Sequence, residues 1–187
     1  MKEIKNGVLL FIALSLLTGV LYPAAVTVLA QVMFPQQANG SIMYMTGGAP
    51  IGSSLIGQPF SGPKYFWPRP SATADFPYNA LASGGSNLGP TNENLIKQVG
   101  ERVNGLRGDG VQGAVPSDLV MASASGLDPH ISPEAAFLQI PRIAKERRVS
   151  EEKVRGLVQE HLEGRQFGFF GAPRVNVLKV NLALDKL

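Results

Sequence analysis

Cysteine is absent from all 187 residues. That one absence removes disulfides, thiolate zinc sites and cysteine nucleophiles together. Histidine is scarce as well, with two in the chain, and neither an H-E-x-x-H nor a D-x-D-x-D-G spacing occurs. A zinc or calcium site of the common kinds therefore has no sequence support. Charge is also short: Asp, Glu, Lys and Arg make up 17% of the chain, against about 25% in ordinary soluble domains. The shortage is local, because the 58 residues between Lys5 and Lys64 contain none of the four. A net charge of +3 with no Lys/Arg block leaves no electrostatic footprint for nucleic acid. What remains is a length that suits one ordinary domain plus an anchor.

The uncharged run begins with GVLLFIALSLLTGVLYPAAVTVLA, residues 7–30. About 20 apolar residues in a helix cross the ~30 Å hydrocarbon layer of a bilayer. In lipid such a segment has to be helical, so that its backbone satisfies its own hydrogen bonds. Lys2 and Lys5 precede it and no basic residue follows until Lys64. The positive-inside bias then predicts residues 1–6 in the cytoplasm, an anchor over 7–33 and an extracytoplasmic domain over 34–187. The same residues also allow a cleaved secretory signal, with MKEIK as its charged start and Val28-Leu29-Ala30 as its cleavage site. Pro23 suits that reading, whereas the length of the apolar run exceeds the usual signal core. Either way the rest of the chain is exported. Ser15 and Gly19 form a small-xxx-small pair that would let a partner helix approach closely, although small residues are common in membrane helices anyway.

Residues 35–90 are rich in Gly, Pro, Ser and Asn, which break helices and mark turns. Short strands are predicted at 42–45 and 54–56. Phe60, Tyr65, Phe66, Trp67, Phe76 and Tyr78 give this stretch enough apolar area to pack as ordered irregular structure. Helices follow. Thr91 or Asn92 can cap one that carries Leu95, Val99, Val103 and Leu106 on one face. Ser132 with Pro133 starts a second, which Pro141 is predicted to kink or end. Ser150 starts a third, with Val154, Leu157, Val158, His161 and Leu162 as its apolar stripe and Gly164 as its stop. From Leu178 to Asp185 the apolar residues alternate, which predicts a C-terminal strand with a bulge or a buried start near residue 177. The fold class is thus one N-terminal transmembrane helix plus a single α+β extracytoplasmic domain. That domain has an irregular Gly/Pro-rich first half, about three helices and a C-terminal strand.

Chemistry is hard to find. Asp128-Pro129-His130 could orient a base, but no nucleophile or G-x-S-x-G elbow accompanies it. His161 reads as a packed helix-face histidine. The loop Ser83, Gly84, Gly85, Ser86, Asn87 could offer amides to a phosphate, yet it lacks the Gly-Lys-Ser/Thr ending of a P-loop. A tight turn bonded to itself is the bland reading of that loop. Tyr65-Phe66-Trp67-Pro68-Arg69-Pro70-Ser71 could be a glycan platform, a protein hot spot or a packed loop. Two functions stand on these residues. One is an accessory subunit docked on other membrane helices, and the other is a signal-anchored module binding cell-surface polysaccharide or protein.

Several blocks then resemble one family. Leu21-Tyr22-Pro23, Ala38-Asn39-Gly40-Ser41, GSSLIGQ ending at Gln58, Arg69-Pro70-Ser71-Ala72 and Pro77-Tyr78-Asn79 are similar to the C subunits of the Kdp potassium-transporting ATPases. So are ASGGSNL at 82–88, MASASGLD at 121–128, Ile140-Pro141-Arg142 and VNLALD at 180–185, so the resemblance covers essentially the whole chain. It implies a non-catalytic subunit of an ATP-driven potassium uptake complex in the bacterial inner membrane. The implied partners are a channel-like potassium-binding subunit, a P-type ATPase subunit and a very small assembly subunit. The implied role is to stabilise the complex and to raise the ATP affinity of the ATPase subunit, a role described as that of a catalytic chaperone. No cofactor is expected to bind this chain tightly, ATP and K⁺ being handled by the complex. No catalytic residue is implied. Residues 83–87 are the implied nucleotide loop, and Ser15, Gly19, Gln58, Arg69, Pro70, Ser71, Tyr78 and Asn79 are candidate partner contacts, with the Arg69 and 83–87 loops expected to be interface rather than fold.

Overall fold

The computed structural model describes every residue except Thr46, as two units, Met1–Ser53 and Ser54–Leu187. The first unit is dominated by one helix of 32 residues, long and apolar enough to cross a membrane, with a mean hydropathy of 2.2 over an 18-residue stretch. It begins as α1 (Lys2–Leu16), passes through a π-helical turn (Leu17–Leu21) and continues as α2 (Tyr22–Met33). Pro23 is the second residue after that turn, and a proline inside a helix removes one donor and crowds the carbonyl four residues back. None of this helix is buried against protein. A helix that is apolar all round has to be buried in something, and lipid fits the composition. A single turn α3 (Pro35–Ala38) and the antiparallel pair β1 (Ile42–Tyr44) and β2 (Pro50–Ser53) complete the unit.

The second unit is an α+β body. Its helices are α4 (Glu93–Gly108), α5 (Pro133–Arg147), α6 (Glu151–Glu160) and α7 (Val177–Leu184), with one 3₁₀ turn at Ser117–Leu119. Three of the first turns follow the predicted capping: Asn92, Ser132 and Ser150 accept backbone N–H groups from Asn94, Ala135 and Lys153. Short strands β3 (His130–Ile131), β4 (Leu162–Glu163) and β5 (Arg174–Asn176) form an antiparallel sheet in the order β3-β5-β4. The core joins Ile131 and Val175 of the sheet to Ile140 and Ile143 of α5, Val154 and Val158 of α6, and Val180 and Leu184 of α7. Phe66 from the irregular first half is fully enclosed in it.

Four expectations are corrected. Residues 178–185 are a helix, not a strand. Val177, Leu178, Val180, Asn181 and Leu184 are the buried ones, which is a 3.6-residue period. The period was hidden because Asn181, polar and so read as outward, is buried and paired with both backbone groups of Phe66. The strand lies just before, in β5, and ends where Asn176 caps α7 through the Lys179 N–H. Second, of the two expectations at Pro141 an end to the helix is excluded, since α5 continues to Arg147 with Ile140, Ile143 and Ala144 buried along the expected stripe. Third, α6 ends at Glu160, because Leu162 leaves the helix to pair with Val175. Fourth, the short strand predicted at 54–56 falls at Pro50–Ser53, opposite Ile42–Tyr44.

Candidate functional site

The Gly/Pro-rich blocks are stitched to residues 122–130 by backbone contacts at van der Waals limits. A Cβ on Gly57 would stand 2.3 Å from the Tyr78 ring and 2.9 Å from the Asp128 carbonyl, so only glycine fits there. The Gly57 N–H donates to the Leu127 carbonyl at 2.8 Å. Ser71 Oγ donates to the Gly126 carbonyl at 2.8 Å and accepts the Tyr78 N–H at 2.9 Å. Thr73 Oγ1 accepts the Asn79 N–H, and Asn79 in turn donates to the Ala74 carbonyl and accepts the Leu81 N–H.

Arg69 is the hub. Its guanidinium meets Asp128 Oδ2 at 3.1 Å, and its own carbonyl accepts the Tyr78 hydroxyl at 2.5 Å. Asp128 also accepts the His130 N–H at 3.0 Å through Oδ1, with His130 Nδ1 3.3 Å from the same oxygen. His130 Nε2 lies 3.8 Å from Glu163, which holds Arg174 at 3.1 Å and Lys179 at 2.9 Å. An alternating chain of basic side chains and carboxylates thus runs from the loop at 69 across the three-stranded sheet. It borders a cleft of about 780 Å³ whose rim includes Arg69, Asp118, Asp128, His130, Glu134 and Arg174.

The electrostatics follow from these partners. Burial pushes the Asp128 carboxyl up, but the His130 hydrogen bonds and the Arg69 charge together outweigh it and leave its pKa below the usual value. Burial likewise works against Glu163 and is outweighed by Lys179 and Arg174. The Tyr78 hydroxyl is pushed far up, first by burial and then by Asp128, so it stays a donor throughout the physiological range. Such paired charges are suited to positioning and recognition. No hydroxyl in this cluster is hydrogen-bonded to a histidine as an activated nucleophile would be. Among the described residues no group of three His, Asp or Glu could hold a metal ion.

The structure brings Arg69, Pro70, Ser71, Tyr78 and Asn79 into one neighbourhood, with Gln58 next in sequence to the packed Gly57 and the Gly-rich loop at 83–87 reaching Gly126 through Gly84. Pro70 lies on a second cleft of about 350 Å³ together with Trp67 and Tyr78. In the Gly-rich loop the Gly84 N–H donates to the Ser125 carbonyl at 2.9 Å, as does the Ser83 hydroxyl at 3.1 Å. A Cβ on Gly85 would lie 2.9 Å from the Ala124 carbonyl. Gly85 is therefore required by close packing, whereas Gly84 has room for a Cβ but its amide is already occupied. Ser15 and Gly19 belong to the other unit, on the exposed surface of the long helix.

Sequence reasoning missed three charged residues. Asp128 was read as a partner for His130 alone and not for Arg69, and Glu163 was read as a helix position. Arg142 lies 3.7 Å from the Trp67 ring centre, donates to Gln139 Oε1 and the carbonyls of Pro63 and Tyr65, and is pushed down by burial to about 10. The Ile140-Pro141-Arg142 motif was the only signal for it. Phe167, Phe169 and Phe170, closed by the paired Gln166 and Phe170, form an exposed aromatic hairpin that sequence reasoning did not single out.

Against known proteins the chain matches the family profile "KdpC: K+-transporting ATPase, c chain" over residues 4–186. It is 58% identical over 187 residues to a potassium-transporting ATPase KdpC subunit of Geobacter sulfurreducens, covering 100% of this chain and 99% of that one. The Geobacter metallireducens protein of the same name gives the same identity and coverage. One from Burkholderia ambifaria is 56% identical over 184 residues, covering 97% of this chain and 95% of the relative. The full-length likeness agrees with the block-by-block resemblance, and the chain belongs to the KdpC family, the c chains of the K⁺-transporting ATPases.

Proposed function

We propose that this chain stabilises the assembled Kdp complex and raises the ATP affinity of the P-type ATPase subunit without binding the nucleotide itself. It is a non-catalytic subunit held by its N-terminal helix, with residues 34–187 outside the cytoplasmic membrane. Its partners are the channel-like potassium-binding subunit, the ATPase subunit and the small assembly subunit, and those subunits handle K⁺ and ATP. The observation that carries this reading is the family match from residue 4 to 186. The indirect mode of action rests on two supports. Lys2 and Lys5 before an uncharged run of 58 residues favour a body outside the membrane, and a folded domain there cannot reach across ~30 Å of hydrocarbon. The Gly-rich loop also lacks a lysine, and its Gly84 amide is taken by Ser125.

The chain then acts by favouring a conformation of its partner that binds ATP better. A coupling of about 1–3 kcal/mol changes affinity roughly 5–150-fold without a shared contact. Calorimetry on the purified full chain in detergent should find ATP binding no tighter than millimolar, while removing the chain from the complex raises the ATP concentration needed for half-maximal hydrolysis. Micromolar binding lost in Gly84→Ala would overturn indirect action. That variant is informative because the nearest atom to a Cβ there is 4.0 Å away, so the fold tolerates it.

A further inference from the structure

The π-helical turn takes from the Thr18 carbonyl the backbone donor it would have in an α-helix. In an α-helix the Thr18 carbonyl would receive the N–H of Tyr22. Here the Tyr22 N–H goes to the Leu17 carbonyl, five residues back. At that wider spacing the donor for Thr18 would be residue 23, which is proline and has no N–H. The Thr18 side chain does not help, because its hydroxyl donates to the Leu14 carbonyl at 2.8 Å. Thr18 stands halfway along the 32-residue helix Lys2–Met33. In the centre of a bilayer no water reaches it, and an unsatisfied carbonyl there is strongly unfavourable.

The helix surface around this carbonyl is open. Nothing lies within 4 Å of where a Cβ on Gly19 would be. Ser15 is one turn away, on the side reached by i, i+4 spacing. Small residues alone would only permit a neighbour, whereas the unpaired carbonyl asks for one that brings a donor. Lipid tails have none, and proline-interrupted membrane helices commonly regain their lost bonds from neighbouring helices.

We propose that the Thr18 carbonyl is the acceptor for a hydrogen-donating side chain from a transmembrane helix of another subunit, docked against Ser15 and Gly19. The proposal rests on the reading of this chain as a membrane-anchored subunit. Pro23→Ala restores an N–H at residue 23 and removes the reason for the wider turn, so the acceptor is closed. When the complete complex is purified in mild detergent, retention of the Pro23→Ala chain should fall about 3- to 20-fold, the size of one interhelical hydrogen bond in a membrane. A ¹³C,¹⁸O label on the Thr18 carbonyl of the wild-type chain should move its amide band to lower frequency on assembly. Wild-type retention by Pro23→Ala, or an unshifted band, overturns the proposal while leaving subunit membership intact. Failure of the wild-type chain to co-purify with any membrane subunit overturns both. Association of two differently tagged copies that is lost in Pro23→Ala would name a second copy as the occupant and overturn the assignment to another subunit.

Discussion

Asp128 concentrates the body's electrostatics on one side chain, less than a third exposed, between Arg69 and His130. Its carboxyl titrates below its ordinary range in the folded body, and Glu163 does the same. A depressed carboxylate pKa stabilises the fold above the unfolded value of about 4 and loses that contribution as pH falls through the folded value. The body should therefore hold its stability from neutral pH down to about 4 and lose it progressively below. Asp128→Asn should be less stable than wild type at pH 7 and should flatten the acid limb, as read from melting temperature against pH. An unchanged acid limb would show that other carboxylates control it. Arg69 was flagged in the sequence as a partner contact, but its pairing with a residue 59 positions away was invisible there. Nothing local in Arg69-Pro70-Ser71 names Asp128, because the two meet only when the loop folds back onto the sheet. Arg69 thus has a role within its own fold.

At the scale of elements, buried amides join segments distant in sequence. Asn181 on α7 accepts the Phe66 N–H at 2.8 Å and donates to the Phe66 carbonyl at 3.0 Å. Gln139 on α5 does the same for Trp67, accepting its N–H at 2.8 Å and donating to its carbonyl at 3.3 Å. Two helices thus hold consecutive residues of an irregular strand-like segment, replacing the sheet partner that segment lacks. Asn181→Ala would leave both Phe66 groups buried and unpaired, at about 1–3 kcal/mol each. A loss of roughly 2–5 kcal/mol in urea unfolding is expected, with Asn181→Asp intermediate because it keeps the acceptor. A loss under 1 kcal/mol would mean that water replaces the amide. The helix starts at 92, 132 and 150 were legible because capping is local chemistry within three or four residues. The C-terminal helix was not, since its period depended on knowing that Asn181 is buried.

For the whole molecule, the charge distribution makes a topological prediction. An alkaline phosphatase fused after about residue 40 should be active and a cytoplasmic reporter at the same place silent, as the positive-inside bias requires. Mature protein beginning at Gln31 would show instead that residues 1–30 are a cleaved signal. Family, anchor-like helix, turn-rich first half and most helix starts were determined by sequence alone, because they rest on composition, local capping and motifs that need no distant neighbour. Tertiary structure alone decided which polar residues are inside, and with them the fate of residues 177–184. It also paired Arg69 with Asp128 and Glu163 with Lys179, and spent the amide of the Gly-rich loop on Ser125. Each of these is a contact between residues far apart in sequence. The free energy that fixes such a contact comes from desolvation and pairing in the folded body, and neither exists until the chain has closed on itself.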